Sequence, residues 1–186
     1  QVNYTYEQVR LVEKMEMVMP VSGWMTQSPA TNPRGCKSCC YKVSKDMVAA
    51  EGVQLARAYN SRSVSVTTDK GMENGKRVFR QTPEHQRGID IINKTLDAGR
   101  PVVVGVDHSA GTRNIDGITD HFIVIAGRVT DYVNRSVSFR YFDPGNGRAA
   151  QGAAVNNILR NVGGLYQSDH YFRGTGRHYT LTHVVQ

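Results

Sequence analysis

No apolar run in this chain approaches the roughly 18 residues that a membrane-spanning helix needs. The longest, PVVVGV and FIVIAG, are the length of strands, so no transmembrane segment is expected. The first residues show neither the basic start nor the apolar core of a signal peptide. With Gln1 at its head, the chain is expected to be a mature form or an excised domain whose targeting segment has been removed. Runs of basic charge are missing too: 23 Lys and Arg face 16 Asp and Glu, a net charge of +7, yet no basic run exceeds two residues. Without an aromatic-plus-basic signature, no nucleic-acid partner is expected, and the charge reads as a bias toward a polyanion such as a cell-wall polymer. Cysteine is scarce and confined to Cys36, Cys39 and Cys40. An odd count leaves at least one thiol over from any intramolecular pairing. The second half of a zinc site, another Cys-x-x-Cys or a His-x3-His, is missing, so neither a metal nor another cofactor is expected.

What is present reads as one domain over 1–186, with no internal repeat and a length suited to a single core. YEQVRLVEKMEMV spaces Val9, Val12 and Met15 as one face of a helix. A loop rich in Pro, Gly, Ser and Thr follows. Ser38 is then placed as the N-cap of a helix running to about Gly52, with Cys40, Val43, Met47 and Ala50 as its buried stripe. Residues 53–82 are polar, with SVSVTT as an edge strand. PEHQRGIDIINKTLDAGR has Ile89, Ile92 and Leu96 at helical spacing and stops at Gly99. PVVVGVD, HFIVIAGRV, SVSFRYFD and HYTLTHVV are strands, and AAVNNILRNV is read as a helix. Helices first and an antiparallel sheet second make an α+β layout.

Three features stand in an order that carries chemistry. A cysteine opens a helix, His121 opens an apolar strand, and Asp143 ends the next strand in YFDPGNG. A helix N-terminus and a nearby imidazolium both favour thiolate. A histidine takes and returns the proton, and a carboxylate fixes its tautomer. Cys39, following a capping serine, is the preferred nucleophile. Cys36 stays open as the alternative, and Cys40 is read as an inert core thiol. Cys36 and Cys39 also form a Cys-x-x-Cys pair that could close as a disulfide in an oxidising compartment. His108, His170, His178 and His183 are read as surface or core residues and Trp24, the one tryptophan, as core.

CKSCCYKVS resembles the papain-type Cys-Gly-Ser-Cys-Trp-Ala-Phe-Ser segment. DAGRPVVVGV, DHFIVIAGR and YFDPGNG resemble the bacteriocin-processing peptidase branch of the papain-like cysteine peptidases and amidases, and SCCYKVSKDM is similar to the nucleophile helix of type VI secretion peptidoglycan amidases. The resemblance spans roughly residues 24–147. It implies a papain-like α+β domain with Cys39, His121 and Asp143 as catalytic residues and an oxyanion glutamine, for which Gln27 is the candidate. It also implies hydrolysis of a peptide or peptidoglycan amide by a secreted or periplasmic bacterial enzyme, with a cognate inhibitor or immunity protein as a further partner. Hydrolysis of protein substrates, transglutaminase-like acyl transfer and a degenerate binding module are the alternatives.

Overall fold

The computed structural model describes residues 13–58, 62–108, 119–168 and 178–186. Val9, Val12 and His170 lie outside the described residues. Among the described residues ten strands are formed: β1 (Glu13–Met17), β2 (Ser63–Ser65), β3 (Thr67–Glu73), β4 (Lys76–Gln81), β5 (Val102–Asp107), β6 (His121–Asp131), β7 (Ser136–Phe142), β8 (Ile158–Val162), β9 (Leu165–Ser168) and β10 (Thr180–Val185). Three α-helices accompany them, α1 (Cys40–Ala49), α2 (His85–Asp97) and the single turn α3 (Ala149–Gly152).

Strands β6, β5, β10, β9, β8 and β7 pair in that order, and β7 pairs back to β6, so the sheet closes on itself as a six-stranded antiparallel barrel. This overturns the papain-like α+β layout. A barrel has no free edge once its last strand finds its first, and here one strand needed for closure, β8, comes from the segment expected to be a helix. No residue of AAVNNILRNV is helical: the short α3 ends just ahead of it, and Ile158–Val162 runs as β8 between β7 and β9.

Alternation sorts the apolar residues into two cores. Val102, Val104 and Val106 of β5, Ile123 and Ile125 of β6, and Phe139 and Tyr141 of β7 face the barrel interior together with Ile89, Ile92 and Leu96 of α2. The helical spacing expected for α2 is therefore realised and buried. Val103, Phe122, Val124 and Phe142 point the other way and meet Val43, Met47 and Val48 of α1. β5 is buried on both faces because a helix or the interior lies on each side of it.

The expected N-terminal helix is not seen over its described part. Residues 13–17 form β1, paired antiparallel with Gly127–Asp131. β5 pairs only with the first half of β6, through Ile125, so the far half of that long strand has an open edge with unpaired backbone groups. Satisfying them outweighs a helical spacing of three residues. Gly127 permits the approach: a β-carbon there would lie 2.6 Å from the Glu16 carbonyl oxygen. SVSVTT also divides, into β2 against β10 and the first residues of the β3–β4 hairpin.

The candidate active site

His121 begins β6 and Asp143 follows β7. These two strands are antiparallel neighbours with Val124 opposite Phe142, so their opposite termini fall at the same end of the barrel. The His121 Nε2 lies 2.8 Å from Asp143 Oδ1, and both side chains are buried. The pairing expected from the order of His-led strand and Asp-Pro turn is formed.

Asp143 is held from every side. Its Oδ1 also accepts the Gly145 N–H at 2.7 Å, and its Oδ2 accepts the Tyr179 hydroxyl at 2.7 Å and the Asn146 amide at 3.0 Å. The Tyr179 ring stacks on the His121 imidazole with centroids 5.7 Å apart. Glycine at 145 leaves room for this network, since a β-carbon there would sit 3.0 Å from the Asp143 carboxylate and 3.1 Å from His121 Nε2 and press both aside by a few tenths of an ångström. Burial alone would raise the Asp143 carboxyl, but the His121 charge and these donors hold it below the usual range.

The cysteine cluster differs from expectation. Cys36 and Cys39 form a disulfide, and Cys40 is the free thiol. Neither the preferred nucleophile Cys39 nor its alternative Cys36 therefore carries a thiol in this structure. The helix also starts one residue late. The Cys39 N–H bonds to the Cys36 carbonyl, closing a turn over 36–39, and the backbone becomes helical only at Cys40. Cys39 is thus the N-cap and Cys40 the first helical residue. Ser38 makes no cap and rests its Oγ 3.8 Å from the Cys36 sulfur. On α1 the buried residues are Val43, Ser44, Met47 and Val48, while Ala50 is exposed.

The half-buried Cys40 thiol faces the His121 imidazole closely enough for each group to shift the other's pKa. With Nε2 engaged by Asp143, the ring nitrogen left for the sulfur is Nδ1. Burial pushes the thiol up, but the neighbouring His121 with its positive charge outweighs that and lowers its pKa. Burial likewise pushes the imidazole down, and the charge and hydrogen bond of Asp143, helped by Cys40, raise it to about 9. Both shifts act in the direction of a thiolate–imidazolium pair.

Gln27 lies between the two halves of the site. Its backbone N–H donates to the Pro144 carbonyl and its Nε2 to the Lys37 carbonyl at 2.9 Å, which uses one of its two amide hydrogens. Trp24, read as core, is half-buried and donates its indole N–H to the Asp143 carbonyl at 2.7 Å. Two members of the site escaped sequence reasoning. Cys40 had a signal in the odd cysteine count, for closing the Cys-x-x-Cys pair leaves it over. Tyr179 had only its register with Leu181 on β10, which points both into the barrel core. Among the described residues no group of histidine, cysteine and acidic side chains could hold a metal ion.

Searches of protein-family models, curated proteins and solved structures find no match to this chain.

Proposed function

We propose that the chain is a cysteine-dependent amide hydrolase with Cys40 as nucleophile, His121 as acid and base, and Asp143 as the orienting carboxylate. The observation that carries this reading is the placement of the one free thiol, at the first residue of a helix, beside a buried imidazole that is itself hydrogen-bonded to a buried carboxylate. The Cys40 thiolate attacks the amide carbonyl carbon, and the electron pair moves onto oxygen. The Cys40 backbone N–H at the helix start and the second Gln27 amide hydrogen serve as oxyanion donors. Imidazolium Nδ1 then gives its proton to the departing amine, leaving a thioester and a neutral ring. Water attacks the thioester, the ring takes its proton, and the acid departs as the thiolate and imidazolium are restored. Asp143, fixed by four donors, keeps Nε2–H pointing at itself and so keeps Nδ1 toward the sulfur.

The proposed substrate is a peptide amide of bacterial peptidoglycan, favoured by the net charge of +7 and by the resemblance of the cysteine segment to wall amidases. The Cys36–Cys39 disulfide supports action in an oxidising compartment, periplasmic or extracellular. Incubating the protein with purified peptidoglycan and with casein, followed by mass analysis of both digests, tests the assignment. New amine and carboxyl termini in peptidoglycan fragments, lost in Cys40→Ala, are expected. Cleavage of casein alone transfers the reading to protein substrates, and incorporation of an added amine without hydrolysis transfers it to acyl transfer.

A further inference from the structure

A cleft of about 380 Å³ opens beside the turn that carries Asp143, lined by Trp24, Met25, Thr26, Asn32, Gly147 and Arg148 among others. Its walls are built from the catalytic elements. The Trp24 indole is bonded to the Asp143 carbonyl, Thr26 Oγ1 donates to the Asn146 carbonyl, and Asn146 in turn holds Asp143 Oδ2. The Met25 N–H meets the sulfur of Met47, on the helix that Cys40 starts. The polar side-chain groups of Trp24 and Thr26 are engaged in these bonds, and the Asn32 amide donates to the Thr26 carbonyl at 2.7 Å. Arg148 is the exception. It is the one charged residue lining the cleft, it is exposed, and among the described residues it makes no ion pair.

We propose that this cleft is a substrate subsite that binds a free carboxylate flanking the scissile amide, with Arg148 clasping the carboxylate and the Trp24 face bearing the adjoining apolar part of the peptide. The inference rests on the hydrolase reading and adds to it the class of substrate: peptides with an unamidated carboxyl group close to the cleaved bond. A guanidinium presents a planar fork that matches a carboxylate with two parallel hydrogen bonds. No acid competes for it along the cleft wall. Arg148 lies five positions after Asp143, and a β-carbon at Gly145 between them would lie 3.1 Å from His121 Nε2. A carboxylate held at Arg148 therefore fixes the register of the peptide relative to the imidazole.

The test uses a pair of acetylated cell-wall stem peptides that differ only in one group, a free carboxylate or the corresponding carboxamide. Trp24 is the only tryptophan in the chain, so its fluorescence reports occupancy of this cleft directly. Titrated into Cys40→Ala protein, the carboxylate peptide should shift the tryptophan emission and bind about tenfold more tightly than the carboxamide. Adding Arg148→Gln should erase that preference by weakening the carboxylate peptide alone. In the active protein, Arg148→Gln should raise KM for the carboxylate peptide about tenfold, with kcat and the rate of Cys40 alkylation by iodoacetamide unchanged. Equal binding of both peptides to Cys40→Ala protein, or an equal loss for both on Arg148→Gln, would overturn the subsite. If the active protein cleaves neither peptide the hydrolase reading fails, and the binding titration still decides the subsite by itself.

Discussion

The two halves of the site are held in opposite ways. The carboxylate half is a dense polar network: Asp143 accepts from His121, Gly145, Tyr179 and Asn146, and its own carbonyl accepts from Trp24. The thiol half has little of this. Residues 36–40 are positioned by one disulfide, one backbone turn and the Gln27 bond to Lys37. A redundant network loses one bond and keeps its shape, whereas a loop tied by a single covalent link loses its geometry when the link opens. The acid half should therefore answer perturbation in grades, and the thiol half abruptly.

The sharpest break falls on the reacting atoms. Cys40→Ala or His121→Ala should lower kcat/KM on a cleaved peptide by roughly 10⁴-fold or more, to the level of the blank. Cys39→Ser and Cys36→Ser should each retain measurable turnover, and iodoacetamide should label only Cys40 in the native protein. Full activity in Cys40→Ala would return the nucleophile to the disulfide pair. Next comes Asp143→Asn, which keeps the shape of the network and removes its charge. A loss of about 10²-fold in kcat is expected, with a midpoint of unfolding close to that of the wild type.

Reducing the disulfide probes the other half. With a small dithiol, or in the Cys36→Ser/Cys39→Ser double variant, the N-cap of α1 is freed. Activity should fall about tenfold through kcat, because small displacements of a nucleophile are costly. Near-wild-type turnover after reduction, with both thiols shown free by mass, would mean that the loop is held without its link.

The smallest effect is a shift in pH dependence. Thiolate and imidazolium coexist above the lowered Cys40 pKa and below that of His121, about 9. Activity should thus describe a bell with its alkaline limb near 9. Stability carries the same signature. His121 has a folded value above its unfolded one, about 6.5, so its contribution is complete below that pH and is lost as the pH climbs through about 9. Asp143, depressed in the fold, contributes fully above its unfolded value and loses that contribution on acidification. Tyr179→Phe removes one donor from a buried carboxylate, at a cost of about 1–3 kcal/mol. It should raise the Asp143 pKa and, by leaving more of the carboxylate's charge to the imidazolium, raise that of His121 and move the alkaline limb up, with only a few-fold change in kcat. An unmoved limb, followed by rate against pH, would show that Tyr179 merely packs.

His121 and Asp143 were legible in the sequence, since each sits where an alternating apolar strand starts or stops, and strands β5, β6 and β7 announce themselves by their own composition. The same holds for α2, whose helical spacing agrees with what it buries. Local pattern failed where a distant partner decided the outcome. Residues 13–17 became a strand because the second half of β6 needed hydrogen-bond partners, and 158–162 did so because the barrel needed β8 to close. The free thiol fell on Cys40 and not on Cys39 for a related reason. Capping rules weigh Ser38 against its neighbours one residue at a time, but a covalent bond between Cys36 and Cys39 set where the helix could begin. The sequence by itself determined which residue types were available for chemistry and in what order along the chain. Only the tertiary structure decided which of three adjacent cysteines stayed a thiol and faced the histidine. Pairing two sulfurs and closing six strands are both long-range choices, set by the geometry of groups that no local window contains.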